Sequence, residues 1–281
     1  MGSPAGGPAL PSPGTEAGRA GLAALLRAPA RSLIALDYDG TLAPIVTDPA
    51  AARPHPGAVP ALRALAGPAG TVAVITGRPA LAAVEIGGLD AVPGLIVLGH
   101  YGRERWESGR LTAPPAPPGV AAARRQLPDV LAAAGAPEGT WTEDKADALA
   151  VHTRRTAEPG PALDRLRGPL TALAGRTGLA VEPGRMVIEL RPRGSDKGQT
   201  LTNLVKERHA SSVMYCGDDL GDVPAFQAVA RLRGEGMGGL AVCSGSAEVT
   251  ALVELADLVV DGPDGVVRLL DSLAAAMSYP A

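Results

Sequence analysis

Four short groups of polar residues in this 281-residue chain carry side chains able to do chemistry: Asp37-Tyr38-Asp39-Gly40-Thr41, Thr76-Gly77-Arg78, Lys197-Gly198, and Gly217-Asp218-Asp219 with Asp222 close behind. Paired carboxylates, a threonine hydroxyl and a lysine suit phosphoryl transfer. Magnesium takes oxygen ligands in near-octahedral geometry, typically one or two carboxylates together with phosphate and water. Asp37 and Asp218 are the expected direct ligands and the Asp39 backbone carbonyl a further one. Asp222 would hold a metal-bound water, and Asp219 suits either place. The Thr76 hydroxyl, the Lys197 ammonium and backbone N–H groups from Tyr38 to Gly40 would neutralise and orient the phosphoryl oxygens. Thr41, Gly77 and Arg78 join Gly40 as candidate substrate-binding residues. A carboxylate nucleophile divides one hard displacement into two easier ones, and Asp37 is the candidate. Asp39 would protonate the leaving-group oxygen and then deprotonate the hydrolytic water. Taken singly, each group also reads as a turn, a cap or a solvated helix start; their order and common position argue for a site.

The elements that must position these residues follow from the apolar patterning. Leu33-Ile34-Ala35-Leu36, Thr71-Val72-Ala73-Val74-Ile75, Leu95-Ile96-Val97-Leu98 and Val213-Met214-Tyr215-Cys216 are short apolar runs, each stopping at polar residues. Such runs suit strands buried on both faces of a parallel sheet, and ligands gather at the carboxyl ends of strands in open α/β sheets. Leu240 to Cys243 and Leu258 to Val260 complete the set. Helical spacing places Val59, Leu62 and Leu65 on one helix, and Pro79 in the first turn of another that stops at Gly87-Gly88. Leu201, Leu204 and Val205 share a face after Ser195, a plausible N-cap. Phe226, Val229 and Ala230 are expected to face inward after Pro224. Strands alternating with helices imply a right-handed parallel α/β core with helices on both faces.

Residues 112–119 are mostly proline and alanine, which marks a boundary. Beyond it a helix near Val120 to Ala134, a strand at Ala148 to Thr153, a helix near Pro161 to Ala174 and strands around Leu179 to Glu182 and Met186 to Leu190 read as a small α/β unit. The expected organisation is a flexible tail over 1–30 with a helical turn near Leu22 to Leu26, a catalytic core over 31–111 and 194–281, and an inserted α/β domain over 112–193. The net charge of −3 argues against a general nucleic-acid binder. No apolar stretch reaches the roughly 18 residues of a membrane span, and the first thirty residues lack the pattern of a signal peptide. A cytoplasmic monomer with no nucleic-acid or membrane partner is the expectation. Cys216 and Cys243, each in a core strand, read as buried thiols.

The four polar groups, in this order, resemble the four motifs of the haloacid dehalogenase-like phosphatases, and within them are most similar to the trehalose-6-phosphate phosphatases. The resemblance covers about residues 31–281. It includes Glu143-Asp144-Lys145 followed by Val151-His152, and Glu189-Leu190-Arg191-Pro192 before Lys197. It implies a Rossmann-like core, an α/β cap inserted between the second and third motifs, a magnesium-dependent aspartyl-phosphate mechanism and a sugar-phosphate substrate. It further implies that Glu143, Lys145 and Glu189 recognise the sugar, with Arg154, Arg185 and Arg191 behind them; His100, at a strand end, reads equally as structural or substrate-facing. The chain departs from the family pattern at Gly221 and Val223, where threonine and glutamate are usual, and at Gly99-His100-Tyr101-Gly102, where a small residue, histidine and glycine are usual. These departures bear on the sugar rather than on the metal ligands. Hydrolysis of trehalose 6-phosphate is therefore expected. The alternatives are a related phosphorylated disaccharide, pseudo-disaccharide or other sugar phosphate, and a non-catalytic sugar-phosphate-binding regulator.

Overall fold

The computed structural model describes residues 10–46, 48–115, 118–145, 147–184, 186–192, 196–245 and 250–278. The chain divides into two compact units, Met1–Ala113 with Asp196–Ala281, and Pro114–Ser195.

In the first unit, helix α1 (Glu16–Arg27) precedes β1 (Ser32–Leu36), α2 (Ala58–Ala66), β2 (Thr71–Ile75), α3 (Ala80–Gly87), β3 (Ile96–Gly99) and the hairpin β4 (Glu104–Glu107) and β5 (Arg110–Thr112). The second unit is built from α4 (Pro118–Ala133), β6 (Trp141–Asp144), β7 (Leu149–His152), α5 (Pro159–Thr177), β8 (Leu179–Gly184) and β9 (Val187–Pro192). The chain then returns to the first unit with α6 (Lys197–Glu207), β10 (Ser212–Gly217), α7 (Val223–Gly234), β11 (Gly238–Gly245), α8 (Thr250–Val253), β12 (Leu258–Asp261) and α9 (Gly262–Ser278).

The eight-stranded sheet of the first unit runs β12-β11-β10-β1-β2-β3-β4-β5. It is parallel from β12 to β3, and β4 and β5 add antiparallel at the far edge. Its central strands are buried along their whole length because both faces are covered, so they read as continuous apolar runs. Alternate residues go to opposite cores: Ile34 and Leu36 pack with Leu62, Leu65 and Leu270, whereas Leu33 and Ala35 pack with Leu201, Phe226 and Val229. Cys216 and Cys243 are buried free thiols. No helix among the described residues is long and apolar enough to cross a membrane.

Several sequence expectations need correction. The described part of the N-terminal segment is not a flexible tail: α1 is capped by Thr15, whose hydroxyl accepts from Gly18 N at 2.9 Å and donates to the buried Asp257. The glycines that suggested flexibility allow close packing instead, since a Cβ on Gly21 would lie 1.8 Å from the Gly239 carbonyl oxygen. Pro79 is the N-cap of α3 rather than its first residue, and the Ala80 N–H is taken by Glu104 Oε2 at 2.6 Å. Asp196 caps α6, accepting from Gln199 N at 2.7 Å; Ser195 lies outside the described residues. In α7 it is Ala225 and Ala228, not the exposed Ala230, that turn inward with Phe226 and Val229.

The four-stranded sheet of the second unit is antiparallel in the order β6-β7-β9-β8. Its apolar face, with Leu149, Val151, Ile188 and Leu190, packs on Val120, Leu127, Leu166, Leu170 and Leu173 of α4 and α5. The opposite face is polar. Edge strand β6 is legible only weakly in the sequence, because Trp-Thr-Glu-Asp offers one apolar residue to a half-exposed strand.

Candidate functional site

Asp37, Thr76 and Asp218 each follow directly on the last residue of β1, β2 and β10, so the parallel register brings all three to one edge of the sheet. Lys197 opens α6 beside them. Its Nζ donates to Asp37 Oδ1 at 2.9 Å and to Asp222 Oδ1 at 2.7 Å, with all three side chains buried. Burial alone would push Lys197 down, but Asp222 and Asp37 outweigh it and hold the ammonium well above its ordinary value. Asp37 is itself pushed well up by burial, against the pull of Lys197 and with the push of Asp222, Asp219 and Asp39.

Asp222 is not placed as a simple water holder. Its Oδ1 also accepts from the Tyr215 hydroxyl at 2.6 Å, and its Oδ2 accepts from Asp218 N at 2.9 Å and Asp219 N at 3.2 Å. Both oxygens are therefore committed to shaping the loop and seating Lys197. Tyr215 is a site residue that reading of the motifs missed, although a tyrosine in a fully buried strand must find a partner for its hydroxyl.

The remaining acids form an all-oxygen cluster. One carboxylate oxygen from each of Asp37, Asp219 and Asp222 lies within 4.8 Å of the others. Asp218 falls outside that trio, yet Asp218 Oδ1 is buried without a hydrogen-bond partner among the described residues. Burial, then Asp37, Asp222 and Asp219, push the Asp218 carboxyl up to about 10. Asp37, Asp218 and Asp222 are buried and Asp219 is exposed, and the buried carboxylates call for a compensating cation. Because Asp222 has no acceptor capacity left, Asp37, Asp218 and Asp219 are the acids free to serve it, and oxygen donors alone suit a hard divalent ion.

The loop after β1 folds back tightly: Gly40 N donates to Ala43 O at 2.7 Å, and the Leu42 and Ala43 amides both reach Tyr38 O at 2.9 Å. The Gly40 amide is thus occupied and does not serve an anion, against expectation. What Gly40 contributes is a left-handed turn (φ 72°) and closeness, since a Cβ there would lie 1.9 Å from Asp218 Oδ2. Thr41 is buried and its hydroxyl has no hydrogen-bond partner among the described residues. The Thr76 hydroxyl accepts from Arg78 N at 3.1 Å, which leaves its proton to donate elsewhere. Arg78 does not point its fork at open space: Nε and Nη2 each donate to one oxygen of Asp39 at 2.7 Å, Nη1 donates to Pro49 O, and the guanidinium lies 5.2 Å over the Tyr38 ring. His100 is buried, with Nε2 3.7 Å from Glu104 Oε1.

In the second unit, cross-strand pairing aligns Glu143, Ala150, Glu189 and Glu182 in one row on the polar face. Lys145 Nζ donates to Glu189 Oε2 at 2.6 Å, His152 Nε2 lies 3.0 Å from Glu143 Oε2, and Arg191 pairs with Glu182. The Trp141 ring stacks on His152 at 3.9 Å, and the Arg155 guanidinium lies 5.1 Å from its centroid. Arg154 is exposed, and Arg185 lies outside the described residues.

Known proteins resemble this chain in sequence and in fold. The family profile described as trehalose-phosphatase matches residues 35–257. A trehalose-phosphate phosphatase of Mycobacterium marinum is 37% identical over 216 residues, 71% of this chain and 52% of that protein. The chain thus spans about half the length of that relative. The solved C-terminal domain of the C. albicans trehalose-6-phosphate phosphatase superposes with a TM-score of 0.76 at 22% identity, covering 95% of this chain and 99% of that one. A haloacid dehalogenase-like hydrolase from Bacteroides thetaiotaomicron shares the fold at a TM-score of 0.56 and 17% identity, covering 85% and 98%. On the family match, over sequence that includes Asp37, Thr76, Lys197 and Asp218, this chain belongs to the trehalose-phosphatase family.

Proposed function

We propose that the chain is a magnesium-dependent phosphatase that hydrolyses trehalose 6-phosphate to trehalose and inorganic phosphate. The observation that carries the reaction class is the buried Asp37–Lys197–Asp222 array at the carboxyl edge of the sheet. The sugar rests on family membership and on the name of the mycobacterial relative. Mg2+, held by Asp37, Asp218, Asp219 and the Asp39 carbonyl, would neutralise phosphoryl charge and keep Asp37 ionised.

In this reading an Asp37 carboxylate oxygen attacks phosphorus, the bond from phosphorus to the sugar oxygen breaks, and Asp39 gives that oxygen its proton. Asp39 then takes a proton from water, which attacks the aspartyl-phosphate, releases phosphate and restores Asp37. Both Asp39 oxygens accept one bond each from Arg78 in the structure, so Arg78 orients the carboxyl that exchanges the proton. Lys197 and the Thr76 hydroxyl hold phosphoryl oxygens, with the Thr41 hydroxyl, the Gly77 amide and the loop amides of Tyr38 and Asp39 beside them.

The unit Pro114–Ser195 serves in this proposal as the cap that recognises the sugar. A disaccharide presents hydroxyls that both donate and accept, and the row bearing Glu143 and Glu189, with Lys145, offers charged acceptors and a donor in fixed directions. Arg185 belongs to the same proposal. The departures at Gly221 and Val223 leave the acids untouched: Gly221 N donates to Asp219 Oδ1 at 2.9 Å, and Val223 packs against the core. They favour keeping a second substrate, another phosphorylated disaccharide, in view.

Phosphate release from a panel of sugar phosphates, with Mg2+ and with chelator, tests this reading. Trehalose 6-phosphate should be hydrolysed fastest, and only with metal. Faster hydrolysis of another sugar phosphate replaces the substrate, and no release from any member leaves a binding protein.

A further inference from the structure

We propose that Tyr101 is a positioning residue for the phosphate loop: its ring wedges over Gly77 and holds Thr76-Gly77-Arg78 in place against the helix that carries Lys197. The inference rests on the reading of this centre as a phosphoryl-transfer site.

It begins with backbone strain. Two consecutive residues with side chains, His100 (φ 47°) and Tyr101 (φ 57°), occupy the left-handed region immediately after β3. Side-chain-bearing residues stay there only where the surroundings over-determine them, and such places cluster at functional sites. The surroundings here are two of the four motifs. Tyr101 N donates to Thr76 O at 3.0 Å and His100 N donates to Arg78 O at 2.9 Å, so the turn is bonded on both sides of Gly77. The Tyr101 carbonyl accepts from Thr200 Oγ1 at 2.6 Å, and Thr200 lies one turn beyond Lys197 in α6. Gly102 keeps this approach open, since a Cβ on it would lie 2.3 Å from Thr200 Oγ1.

The side chain adds a third connection. A Cβ on Gly77 would lie 2.8 Å from the Tyr101 hydroxyl and 3.0 Å from ring carbon Cζ, so the ring occupies the space that any larger residue at position 77 would need. Glycine or asparagine would make the same left-handed turn at lower conformational cost. The turn alone therefore does not account for a tyrosine, and its ring lies against Gly77. Tyr101 ties the loop bearing the Thr76 hydroxyl to the helix bearing the Lys197 ammonium, and these are the groups expected to share one phosphoryl group.

The test compares Tyr101→Gly, Tyr101→Asn and Tyr101→Phe in the full chain. Three readouts apply: the thermal midpoint, the affinity for inorganic phosphate by calorimetry with MgCl2 present, and kcat and KM for trehalose 6-phosphate. Glycine and asparagine accept the backbone and lack the ring, so both variants should keep or raise the midpoint while binding phosphate about 10-fold more weakly and losing about 10-fold in kcat. Phenylalanine keeps the ring and should stay within about 2-fold of wild type on both counts. Wild-type phosphate affinity in both ring-less variants overturns the proposal. So does a phenylalanine variant as impaired as the glycine one, and so does a wild type that binds no phosphate. A wild type that binds phosphate yet hydrolyses no sugar phosphate defeats the proposed function alone, and the phosphate affinities still decide the role of Tyr101.

Discussion

The molecule presents two polar constellations built on opposite principles. Around Lys197 the charges are buried, and Asp222 spends all its acceptor capacity on Lys197, Tyr215 and two backbone amides. On the polar face of the second unit the charges pair side chain to side chain, Lys145 with Glu189, His152 with Glu143 and Arg191 with Glu182; Glu189 and Arg191 are buried and the other four half-buried. Buried ions cannot be left alone, so the first constellation has one arrangement. Pairs with a half-buried member are partly screened by solvent and hold their geometry less tightly. Fixed geometry suits the shared chemistry, and in the proposed function the looser pairs meet the sugar.

The sharpest way to break this contrast is at its rigid end. Asp37→Asn should lower turnover of trehalose 6-phosphate on the order of 10⁴-fold or more, because the proposed attacking carboxylate is lost. Phosphate release under single-turnover conditions checks it, and normal turnover with metal binding intact would move the nucleophile elsewhere. Glu189→Gln probes the second constellation. Here KM for trehalose 6-phosphate should rise about 10- to 100-fold while hydrolysis of a simple aryl phosphate stays unchanged. Equal losses on both substrates would show that the polar face serves the chemistry as well as the sugar.

The smallest expected effect is on stability. Burial and neighbouring carboxylates raise Asp37 and Asp218, the latter to about 10. The metal-free folded protein therefore holds protons that the unfolded chain releases above about pH 4, and these groups make stability fall as pH rises through neutrality toward 10. Asp218→Asn removes one of them. Its metal-free thermal midpoint should drop less between pH 6 and pH 9, by about a few degrees, and should gain less from added Mg2+ than wild type. A variant that follows the wild-type pH curve with and without metal would show that Asp218 is not a metal ligand.

Legibility differed between the two regions for related reasons. The strand ends at Asp37, Thr76 and Asp218 stand out because strands buried on both faces are continuously apolar and stop abruptly. Edge strand β6 and the long helix α9 drew no expectation: the first has too little apolar pattern, whereas the second was legible, with Val266, Leu269, Leu270, Leu273, Ala274 and Met277 at helical spacing. The N-terminal segment misled because glycines signal flexibility in isolation and allow close packing when a sheet lies beneath them.

Residue types, order and spacing by themselves determined the α/β class, the edge on which the acids gather and the reaction they suit, since these follow from periodicity and ligand chemistry along the chain. Only the tertiary structure decided that Asp222 seats Lys197, that Arg78 grips Asp39, and that Tyr101 bears on Gly77. Each of those contacts joins segments that leave different strands or helices, and their distances depend on sheet register and helix packing, which local pattern does not specify.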